Sequence, residues 1–409
     1  MDMWDTYIPN TLLGVELKTF LNKKRIIKYL YRNGTMSGSR IASLLKVSAP
    51  TSNQYLNDLI DDGYIELKGK GESIGGRRPN VYGLKKNSVF ILGVDVGRRF
   101  LRIALFNNSL EKIGGVDLQA ISFDKKKLII ETIYAESAKL LKANQIPEKK
   151  IMGVGLNMPG LVNSKEGISY TYFYDKNETL AEAIEKKFKR PVFIENDSKV
   201  RALAEMKYGA ARNTKNALVI QIDWGLGLGM ILDGKLYKGN SGFSGEFSHI
   251  QTEEDGVLCN CGKVGCLETV ASCSALIRFA KEGLENNKMS KLYKYYKSDE
   301  LTPTKIIEEA LSGDQFALYL IQKVGVNLGK GISYLIQILN PEVIILSGVL
   351  SQAKQYIEVP VQQSIYKYCL PKLHEDVQIR ISELGVDSGL LGSAIVVIEN
   401  ILENNKYNS

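Results

Sequence analysis

The sequence is short of histidine, cysteine and long apolar runs. Its 409 residues include two histidines and five cysteines, and three of those cysteines fall within residues 259–266. So few thiols, so closely spaced, fit poorly with a disulfide framework in a chain of this size, although a disulfide remains the alternative. They indicate metal ligation or free thiols in a reducing compartment.

No stretch approaches the roughly 18 uncharged apolar residues that a membrane span needs. Residues 1–10 include acidic side chains and little continuous apolar character, unlike a secretory signal. An apolar fraction of 44% is typical of a globular protein with a substantial core and excludes a disordered or fibrous chain. The length predicts two or three domains. We therefore expect a cytoplasmic globular protein.

Positive charge is concentrated at the amino-terminal end. The formal net charge is +8, and residues 1–90 carry fourteen lysines and arginines against eight aspartates and glutamates. A small basic segment ahead of a near-neutral remainder favours a polyanionic partner, with nucleic acid as the first candidate. A solvated, lysine-rich face is the alternative.

Residues 17–84 have the pattern of three short helices followed by a hairpin. Apolar residues recur at helical spacing up to Asn33 and Gly34, Ser37 is placed to cap a second helix, and Pro50 is placed to open a third. After Gly63 the sequence alternates like two strands around a flexible basic tip. This pattern predicts a winged helix-turn-helix, which binds DNA or, alternatively, another protein.

The side chains predicted to reach DNA are small hydrogen-bonding residues on the outward face of the third helix and two arginines at the tip of the hairpin. They are Thr51, Ser52, Asn53, Gln54, Asn57, Arg77 and Arg78. The arginines stand in the segment GGRRP, whose thin flanking backbone suits a narrow minor groove. An ordinary charged linker is the other interpretation of that segment.

An internal repeat follows. The segments VFILGVDVGRRFLRIALFN (89–107) and ALVIQIDWGLGLGMILDGKLY (217–237) each consist of an apolar strand, Asp-x-Gly and a second apolar strand. Asp95 and Gly97 thus correspond to Asp223 and Gly225. Two such units, each followed by helical patterns, predict an α/β protein with two similar lobes that face each other across a cleft.

Three further segments, FIENDSKVRALAEMKYGAA, GNSGFSGEFSH and CNCGKVGCLE, follow in that order. With the winged helix ahead of them, they resemble the ROK family (repressors, open reading frames and kinases), in particular its xylose and N-acetylglucosamine repressor branch. The resemblance extends over about residues 17–400. It implies a winged helix-turn-helix domain (1–87) and a two-lobed actin/hexokinase-like domain (88–409). Lobe one would comprise about 88–195 with 385–409, and lobe two about 196–384.

His249, Cys259, Cys261 and Cys266 have the spacing His-x9-Cys-x-Cys-x4-Cys. One imidazole and three thiolates form a closed tetrahedral ligand set, so we predict one structural zinc ion per chain. The same four positions match the zinc ligands of the resembled family. A redox-active thiol cluster is the alternative. The remaining cysteines, 273 and 369, are expected to be buried, and the second histidine, at 374, to lie on the surface.

The resemblance also implies a sugar site. In the family, residues matching Glu246 and Glu268 contact sugar hydroxyls, and the residue matching His249 contacts sugar with one ring nitrogen and zinc with the other. The full predicted set is Pro159, Gly160, Asn196, Asp197, Glu246, His249 and Glu268. Carboxylates, an amide and an imidazole suit a polyol; capping and turn roles without a ligand are the alternative.

Asp197 matches the catalytic base of the family's kinases, so the nucleotide turns must distinguish kinase from regulator. Arg98 and Arg99 replace a small Gly-Thr pair in the first turn, and Asp223 with Trp224 replaces Gly-Thr in the second. Both changes oppose phosphate binding by bulk or charge. We therefore expect no kinase activity and predict a sugar-responsive repressor of carbohydrate genes. It would act as a homodimer or homotetramer on a palindromic operator. An active sugar kinase with a DNA-binding domain and a regulator controlled by a protein partner are the alternatives.

Overall fold

Three helices and a small sheet open the chain in the computed structural model, which describes residues 13–71, 78–98, 100–119 and 126–403. These elements are α1 (Gly14–Asn33), β1 (Met36–Ser37), α2 (Gly38–Leu45), α3 (Ala49–Asp61), β2 (Ile65–Lys70) and β3 (Asn80–Leu84). The strands form an antiparallel sheet in the order β1-β3-β2. This arrangement confirms the predicted winged helix-turn-helix.

Side-chain caps set where the second and third helices begin. The hydroxyl of Ser37 accepts a hydrogen bond from the backbone N–H of Arg40, and that of Ser48 accepts one from the N–H of Thr51. Pro50 lies in the first turn of α3, where its missing N–H costs no hydrogen bond. The predicted start of α2 is confirmed, and that of α3 is confirmed to within a residue.

The core of the winged helix consists of apolar side chains at helical spacing. Its main members are Ile26, Ile27, Leu30, Ile41, Leu45, Leu56 and Leu59. Leu44 is instead 42% exposed. The inward face of the short helix α2 is centred on Ile41, Ala42 and Leu45.

A five-stranded sheet with two helices follows. Its elements are β4 (Phe90–Val96), β5 (Phe100–Asn107), β6 (Lys112–Gln119), α4 (Lys126–Ala143), β7 (Ile151–Met158), the two-stranded hairpin β8 (Val162–Asn163) and β9 (Ile168–Ser169), α5 (Leu180–Phe188) and β10 (Val192–Asn196). The strand order is β10-β7-β4-β5-β6. Every residue of β4 and β7 is buried, as expected for central strands covered on both faces.

The rest of the chain builds a second five-stranded sheet and most of the helices. Its elements are α6 (Asp197–Tyr208), β11 (Ala217–Ile222), β12 (Leu226–Leu232), β13 (Lys235–Tyr237), α7 (Glu268–Ala271), α8 (Cys273–Glu285), α9 (Tyr293–Lys297), α10 (Pro303–Leu311), α11 (Gln315–Leu339), β14 (Val343–Ser347), α12 (Gln355–Tyr368), α13 (Pro371–His374), β15 (Gln378–Ile381) and α14 (Ser388–Ile398). The strand order is β13-β12-β11-β14-β15.

The two five-stranded sheets share one plan. In each, the central strand pairs antiparallel with the strand that follows it and parallel with a later one: β4 with β5 and β7, β11 with β12 and β14. Asp95 lies at the end of β4, and Asp223 directly follows β11. The predicted internal repeat is therefore confirmed as a repeat of sheet topology.

The chain divides into two compact units, Met1–Glu195 with Ser393–Ser409, and Asn196–Gly392. In the first unit, α14 packs against β7 at Gly155, where a Cβ atom would lie 2.0 Å from the carbonyl oxygen of Ser393. Asn157 Nδ2 donates to the hydroxyl of the same serine at 2.9 Å. The close approach requires glycine at position 155.

In the second unit, α6 is buried on nearly all sides although it carries charged residues. Lys199, Arg201 and Glu205 are all at most 5% exposed. Burial raises the pKa of Glu205, even though the hydroxyl of Ser382 and the backbone N–H of Ala210 donate to its carboxylate. The helix is thus held in place by polar contacts inside the unit as well as by apolar packing.

One segment among the described residues, Gly385–Leu402, is long and apolar enough to cross a membrane. The expectation from the sequence concerned only runs of uncharged apolar residues. This segment is not such a run, because it includes Asp387 and Glu399. Since 61% of it is buried within the protein, it is weak evidence for a membrane span.

Hydrogen bonds tie residues 85–88, which join β3 to β4, to both of their neighbours. The N–H of Lys85 donates to the carbonyl of Tyr64 in the winged helix at 3.0 Å, and its own carbonyl accepts from Asn108 Nδ2 at 3.2 Å. Asn107 Nδ2 donates to Asn87 Oδ1 at 2.8 Å. The link between the winged helix and the first sheet is therefore an ordered part of the first unit.

An apolar crevice lies next to this link. It is lined mainly by Ile27, Tyr31, Leu84, Val89, Met152, Ile398 and Leu402. These side chains come from α1, the wing, the first sheet and the carboxyl-terminal helix, and α1 contacts the helical turn Glu399–Glu403 directly. The winged helix therefore rests on the body of the first unit through apolar as well as polar contacts.

We predict that Asn107→Ala lowers the free energy of unfolding by about 2–4 kcal/mol. The side chain is fully buried and makes four hydrogen bonds, to Asn87, to Ser109 and two to Glu111. Urea denaturation measures the loss. The control is Asn33→Ala, which removes one exposed hydrogen bond to the carbonyl of Tyr29 and should cost no more than about 0.5 kcal/mol. Equal effects of the two variants would contradict the role given to Asn107.

Candidate functional site

Four metal-ligating side chains converge on one loop of the second unit. The ligand atoms of His249, Cys259, Cys261 and Cys266 all lie within 4.8 Å of one another. Cys259 Sγ is 3.6 Å from His249 Nδ1, and the Sγ atoms of Cys261 and Cys266 are also 3.6 Å apart. An imidazole and three thiols in this arrangement can hold one metal ion.

Backbone geometry brings the thiols together. The N–H of Cys259 donates to the carbonyl of Lys263 at 2.8 Å, and the N–H of Gly262 donates back to the carbonyl of Cys259 at 2.9 Å. Gly265 has a φ of +73°, and a Cβ atom there would lie 1.7 Å from the carbonyl oxygen of Glu253. A side chain at position 265 would force this loop open, so the glycine is part of the ligand geometry.

The crowding of the thiols affects their ionisation. Burial, together with the thiols of Cys261 and Cys259, raises the pKa of Cys266 to about 12. Burial also raises the pKa of Cys259. Three thiols this close resist ionising together, and a bound cation would reverse that preference by stabilising the thiolates.

His249 presents its two ring nitrogens to different neighbours. Nδ1 faces the thiols, while Nε2 lies 3.9 Å from the carboxylate of the exposed Glu246. Lys263 Nζ donates to the carbonyl of His249 at 2.7 Å. Glu268 is buried, and its Oε2 accepts from the N–H of Leu226, the first residue of β12, at 3.1 Å. The metal loop therefore supports one exposed and one buried carboxylate.

Asn196 and Asp197 lie at the start of α6. Asn196 Oδ1 accepts from the N–H groups of Ser198 at 3.1 Å and Lys199 at 3.3 Å, so this residue is the N-cap. Asp197 Oδ1 accepts from the N–H of Ser198 at 2.8 Å. The capping role that the sequence left open is thus present for Asn196, and the helix dipole stabilises the carboxylate of Asp197.

Pro159 and Gly160 follow β7 in the first unit, and both are half-buried. Gly160 has a φ of +84°, and a Cβ atom there would lie 2.5 Å from Thr171 Oγ1. The other five residues predicted to contact sugar belong to the second unit. The predicted set therefore comes from both units, five residues from one and two from the other.

The carboxylate of Asp223 is occupied by contacts within its own unit. Oδ1 accepts from the N–H of Val349 at 2.6 Å, and Oδ2 accepts from Gln221 Nε2 at 2.8 Å and lies 3.9 Å from the guanidinium of Arg201. Val349 opens a helical turn directly after Gly348. An anion binding at that turn would need the same N–H, so the carboxylate already fills the place.

The first of the two predicted nucleotide turns, which follows β4, is occupied in a different way. Asp95 is buried and forms an ion pair with Arg102, at 2.7 Å between Oδ2 and Nη2. The ring of Phe100 covers Gly97, because a Cβ atom on that glycine would lie 2.2 Å from the ring. The ring of Phe100 therefore occupies the side-chain space beside Gly97 in this turn.

The other side chains that replace the family's small residues in these two turns lie on the surface or outside the described residues. Arg98 and Trp224 are exposed, and Arg99 lies outside the described residues. The sequence pattern missed Arg102 and Arg201, the cations paired with the two aspartates. Because α6 carries several charged residues, its sequence offered no signal that Arg201 would be the one beside Asp223.

The predicted DNA face of α3 is largely exposed. Asn53, Gln54 and Asn57 are exposed and Thr51 is half-buried. Ser52 is fully buried, so the prediction that it faces outward is wrong. It lies three residues before Tyr55 and four before Leu56, on the core side of the helix. Arg78 is exposed, and Arg77 lies outside the described residues.

Known proteins share this combination of a winged helix and two repeated sheets. Residues 91–400 match the model of the ROK family, and residues 21–66 match that of the winged helix-turn-helix DNA-binding family. The chain is 29% identical over 398 residues to the xylose repressor of Caldicellulosiruptor bescii, an alignment that covers 95% of this chain and 98% of that protein. It is 33% identical over 310 residues to the glucokinase of Halalkalibacterium halodurans, with 75% and 94% covered.

A solved structure agrees with these relatives. The crystal structure of a ROK family transcriptional regulator, a homolog of the E. coli MLC protein, matches with a TM-score of 0.76 at 27% identity and covers 95% of this chain and 100% of that one. The fold and the motifs thus define a winged-helix protein with an actin/hexokinase-like domain. The chain belongs to the ROK family.

We predict that Asp223→Ala lowers the free energy of unfolding by about 2–4 kcal/mol, because it removes the partner of a buried arginine and the cap on Val349. Urea denaturation of the full chain is the measurement. Asp376→Ala, an exposed aspartate of the same unit, is the control and should change stability by no more than about 0.5 kcal/mol. A neutral Asp223→Ala would show that the carboxylate is not engaged as described.

Proposed function

We propose that this protein is a sugar-responsive transcriptional repressor of carbohydrate-utilisation genes and not a sugar kinase. The observation that carries the proposal is the joining of a winged helix to a ROK domain in which Asp223, in the second nucleotide turn, accepts a hydrogen bond from the N–H of Val349 in the turn after Gly348. The similarity to the xylose repressor along 95% of the chain supports it, whereas the glucokinase alignment covers 75%. Acting on DNA, such a regulator works in the cytoplasm.

The DNA contacts follow from the exposed face of α3. Thr51, Asn53, Gln54 and Asn57 carry hydroxyl and amide groups that can hydrogen-bond to base edges and phosphates in a major groove. Arg78, beside the wing, adds positive charge. A single winged helix contacts only a few base pairs, so we propose that a homodimer or homotetramer binds a palindromic operator.

The sugar contacts would be made by Asn196, Asp197, Glu246, His249 and Glu268, with Pro159 and Gly160 of the first unit as further members. The 3.9 Å between His249 Nε2 and the Glu246 carboxylate is short enough for one hydroxyl oxygen to hydrogen-bond to both. Carboxylates, which only accept, suit the hydroxyl donors of a sugar.

Kinase activity requires a nucleotide phosphate beside these groups. Asp223 brings a negative charge to the turn where that phosphate would bind, and Phe100 covers the other turn. Asp197, which would serve as the base in a kinase, is then left as a sugar-binding residue. The two alternatives stay open to experiment: an active kinase would form phosphorylated sugar, and a regulator controlled by a protein partner would ignore sugars.

We infer that the metal held by the three cysteines and His249 is zinc. A tetrahedral site with zinc–sulfur bonds of about 2.3 Å and zinc–nitrogen bonds of about 2.0–2.1 Å places two sulfurs about 3.8 Å apart and a sulfur and a nitrogen about 3.6 Å apart. The corresponding separations here are both 3.6 Å. Bound through Nδ1, the metal would hold His249 as the tautomer that donates from Nε2.

We predict that Asp197→Asn and Glu246→Gln keep operator affinity and lose the effect of sugar. A sugar releases DNA only if it binds the released state better, and a coupling of roughly 1–3 kcal/mol weakens operator binding about 5- to 150-fold. The operator is first selected from random duplexes, and the effector is found by a thermal-shift screen of xylose, glucose and N-acetylglucosamine. Fluorescence anisotropy then measures binding with and without that sugar.

The matched control is Glu254→Gln, an exposed acid on the same loop, which should respond to sugar like the wild type. A coupled assay with ATP and the same sugars tests the rival activity, and turnover by the wild type would refute the proposal. An operator affinity that no sugar changes would also refute the proposal. Loss of DNA binding by folded Asp197→Asn without ligand would show that the pocket takes part in DNA binding.

We predict one zinc ion per chain by elemental analysis. Cys261→Ser should lose the metal and the sugar response while the rest of the chain stays folded, because the ligands also fix the loop that carries Glu246 and His249. Cys369→Ser is the control, since that buried thiol lies outside the cluster, and it should retain the zinc. A wild-type protein purified without chelators and lacking zinc would disprove the assignment.

A further inference from the structure

Lys263 connects two parts of the predicted metal-ligand set. It lies in the hairpin of residues 258–264, which we call the metal hairpin and which carries Cys259 and Cys261. Its backbone carbonyl accepts the N–H of Cys259 at 2.8 Å, and its Nζ atom donates to the backbone carbonyl of His249 at 2.7 Å. A residue that is not itself a ligand thus joins the segment with the imidazole to the segment with two of the thiols.

The metal hairpin lies at the surface. Leu258 pairs with Val264 across it, and these two side chains are 68% and 40% exposed. Cys261 is also exposed, although Cys259 is buried. Apolar packing therefore fixes this hairpin only weakly, and its orientation depends more on hydrogen bonds and on the ligands themselves.

The opposite end of the loop is held by packing against the helix α11. Leu267, next to Cys266, is buried, and a Cβ atom on Gly331 of that helix would lie 2.4 Å from its Cδ2 atom. Lys330, also on α11, donates from Nζ to the carbonyl of Thr252 at 3.2 Å. The metal hairpin lies away from this firm end, so contacts near the hairpin itself must orient it relative to the imidazole.

The charge around the cluster favours a cation at this place. Glu253, Glu254 and Asp255 are exposed acids of the same loop. A zinc ion with three thiolates and a neutral imidazole would add one net negative charge. A hydrogen bond from an ammonium group is charge-assisted and about twice as strong as one between neutral groups, so lysine suits this contact better than a neutral donor does.

We propose that Lys263 is a positioning residue of the metal site. Its ammonium group holds the carbonyl of His249 beside the metal hairpin, so that the imidazole and the thiols are arranged before a metal binds. Residues that orient metal ligands in this way typically contribute about 10- to 100-fold to metal affinity. Because His249 Nε2 also lies 3.9 Å from the Glu246 carboxylate, the same contact steadies two residues proposed to bind sugar. This inference rests on the proposed zinc site.

Zinc affinity of the full chain, measured by competition with a chromogenic chelator, tests the proposal. Lys263→Met keeps the length and the apolar part of the side chain but removes the ammonium group, and it should bind zinc about tenfold less tightly. Lys263→Arg should restore most of the affinity, because it keeps a cationic donor for the carbonyl. The matched control is Lys288→Met, which removes an exposed lysine of the same unit outside the loop and should bind zinc like the wild type.

Two further measurements separate positioning from other effects. In excess chelator, Lys263→Met should unfold at the same urea concentration as the wild type, and an earlier transition would overturn the proposal by tracing the lost affinity to general destabilisation. The lost affinity should persist in about 0.5 M potassium nitrate, where exposed charges are screened. A loss that disappears at this salt concentration would show that Lys263 acts through its charge alone, which also overturns the positioning role.

The wild type decides which proposal has failed. If it binds zinc and Lys263→Met binds zinc equally well, the positioning role is wrong and the zinc site stands. If the wild type itself binds no zinc, the zinc site is refuted, and the role of Lys263 with it.

Discussion

The contact between His249 and the three cysteines organises the second unit's predicted sugar-binding loop. A single imidazole faces the thiols with Nδ1 and the Glu246 carboxylate with Nε2, so one ring links the candidate metal site to a residue that we propose contacts sugar. The backbone closes this loop only because Gly265 can adopt a positive φ against the carbonyl of Glu253. Loosening any of these contacts would move Glu246 and His249 together.

The two repeated sheets share one architecture, while the aspartates at the ends of their central strands make different contacts. Each central strand still ends in an aspartate, but one is paired with Arg102 and the other caps Val349 and neighbours Arg201. These pairs keep buried charges compensated, which a buried carboxylate requires.

The winged helix is not a freely tethered module. Hydrogen bonds from Lys85 and Asn87 hold the link on both sides, and α1 packs over an apolar crevice shared with the carboxyl-terminal helix. Loosely linked domains reorient independently, whereas an ordered link with its own buried hydrogen bonds carries motion from one part to the next. This construction gives a sugar-dependent change in the ROK domain a physical route to the DNA-binding helices.

The sequence by itself determined the features that depend on local chemistry. Ser37 and Ser48 cap their helices because a hydroxyl before an amphipathic run finds the free N–H groups, and the His-x9-Cys-x-Cys-x4-Cys spacing brings four ligands together within one loop. The strand–Asp-x-Gly–strand repeat predicted two equivalent sheets, because a hydrophobic run and a turn glycine are local features that can be recognised within a few residues. Family resemblance supplied the remaining architecture.

Only the tertiary structure decided what depends on partners distant in the chain. Ser52 is a small hydrogen-bonding residue of the kind that contacts DNA, but the packing of α3 places its side chain in the core. Arg201 and Val349 meet Asp223 across 22 and 126 residues, and no local pattern predicts that a carboxylate will satisfy them.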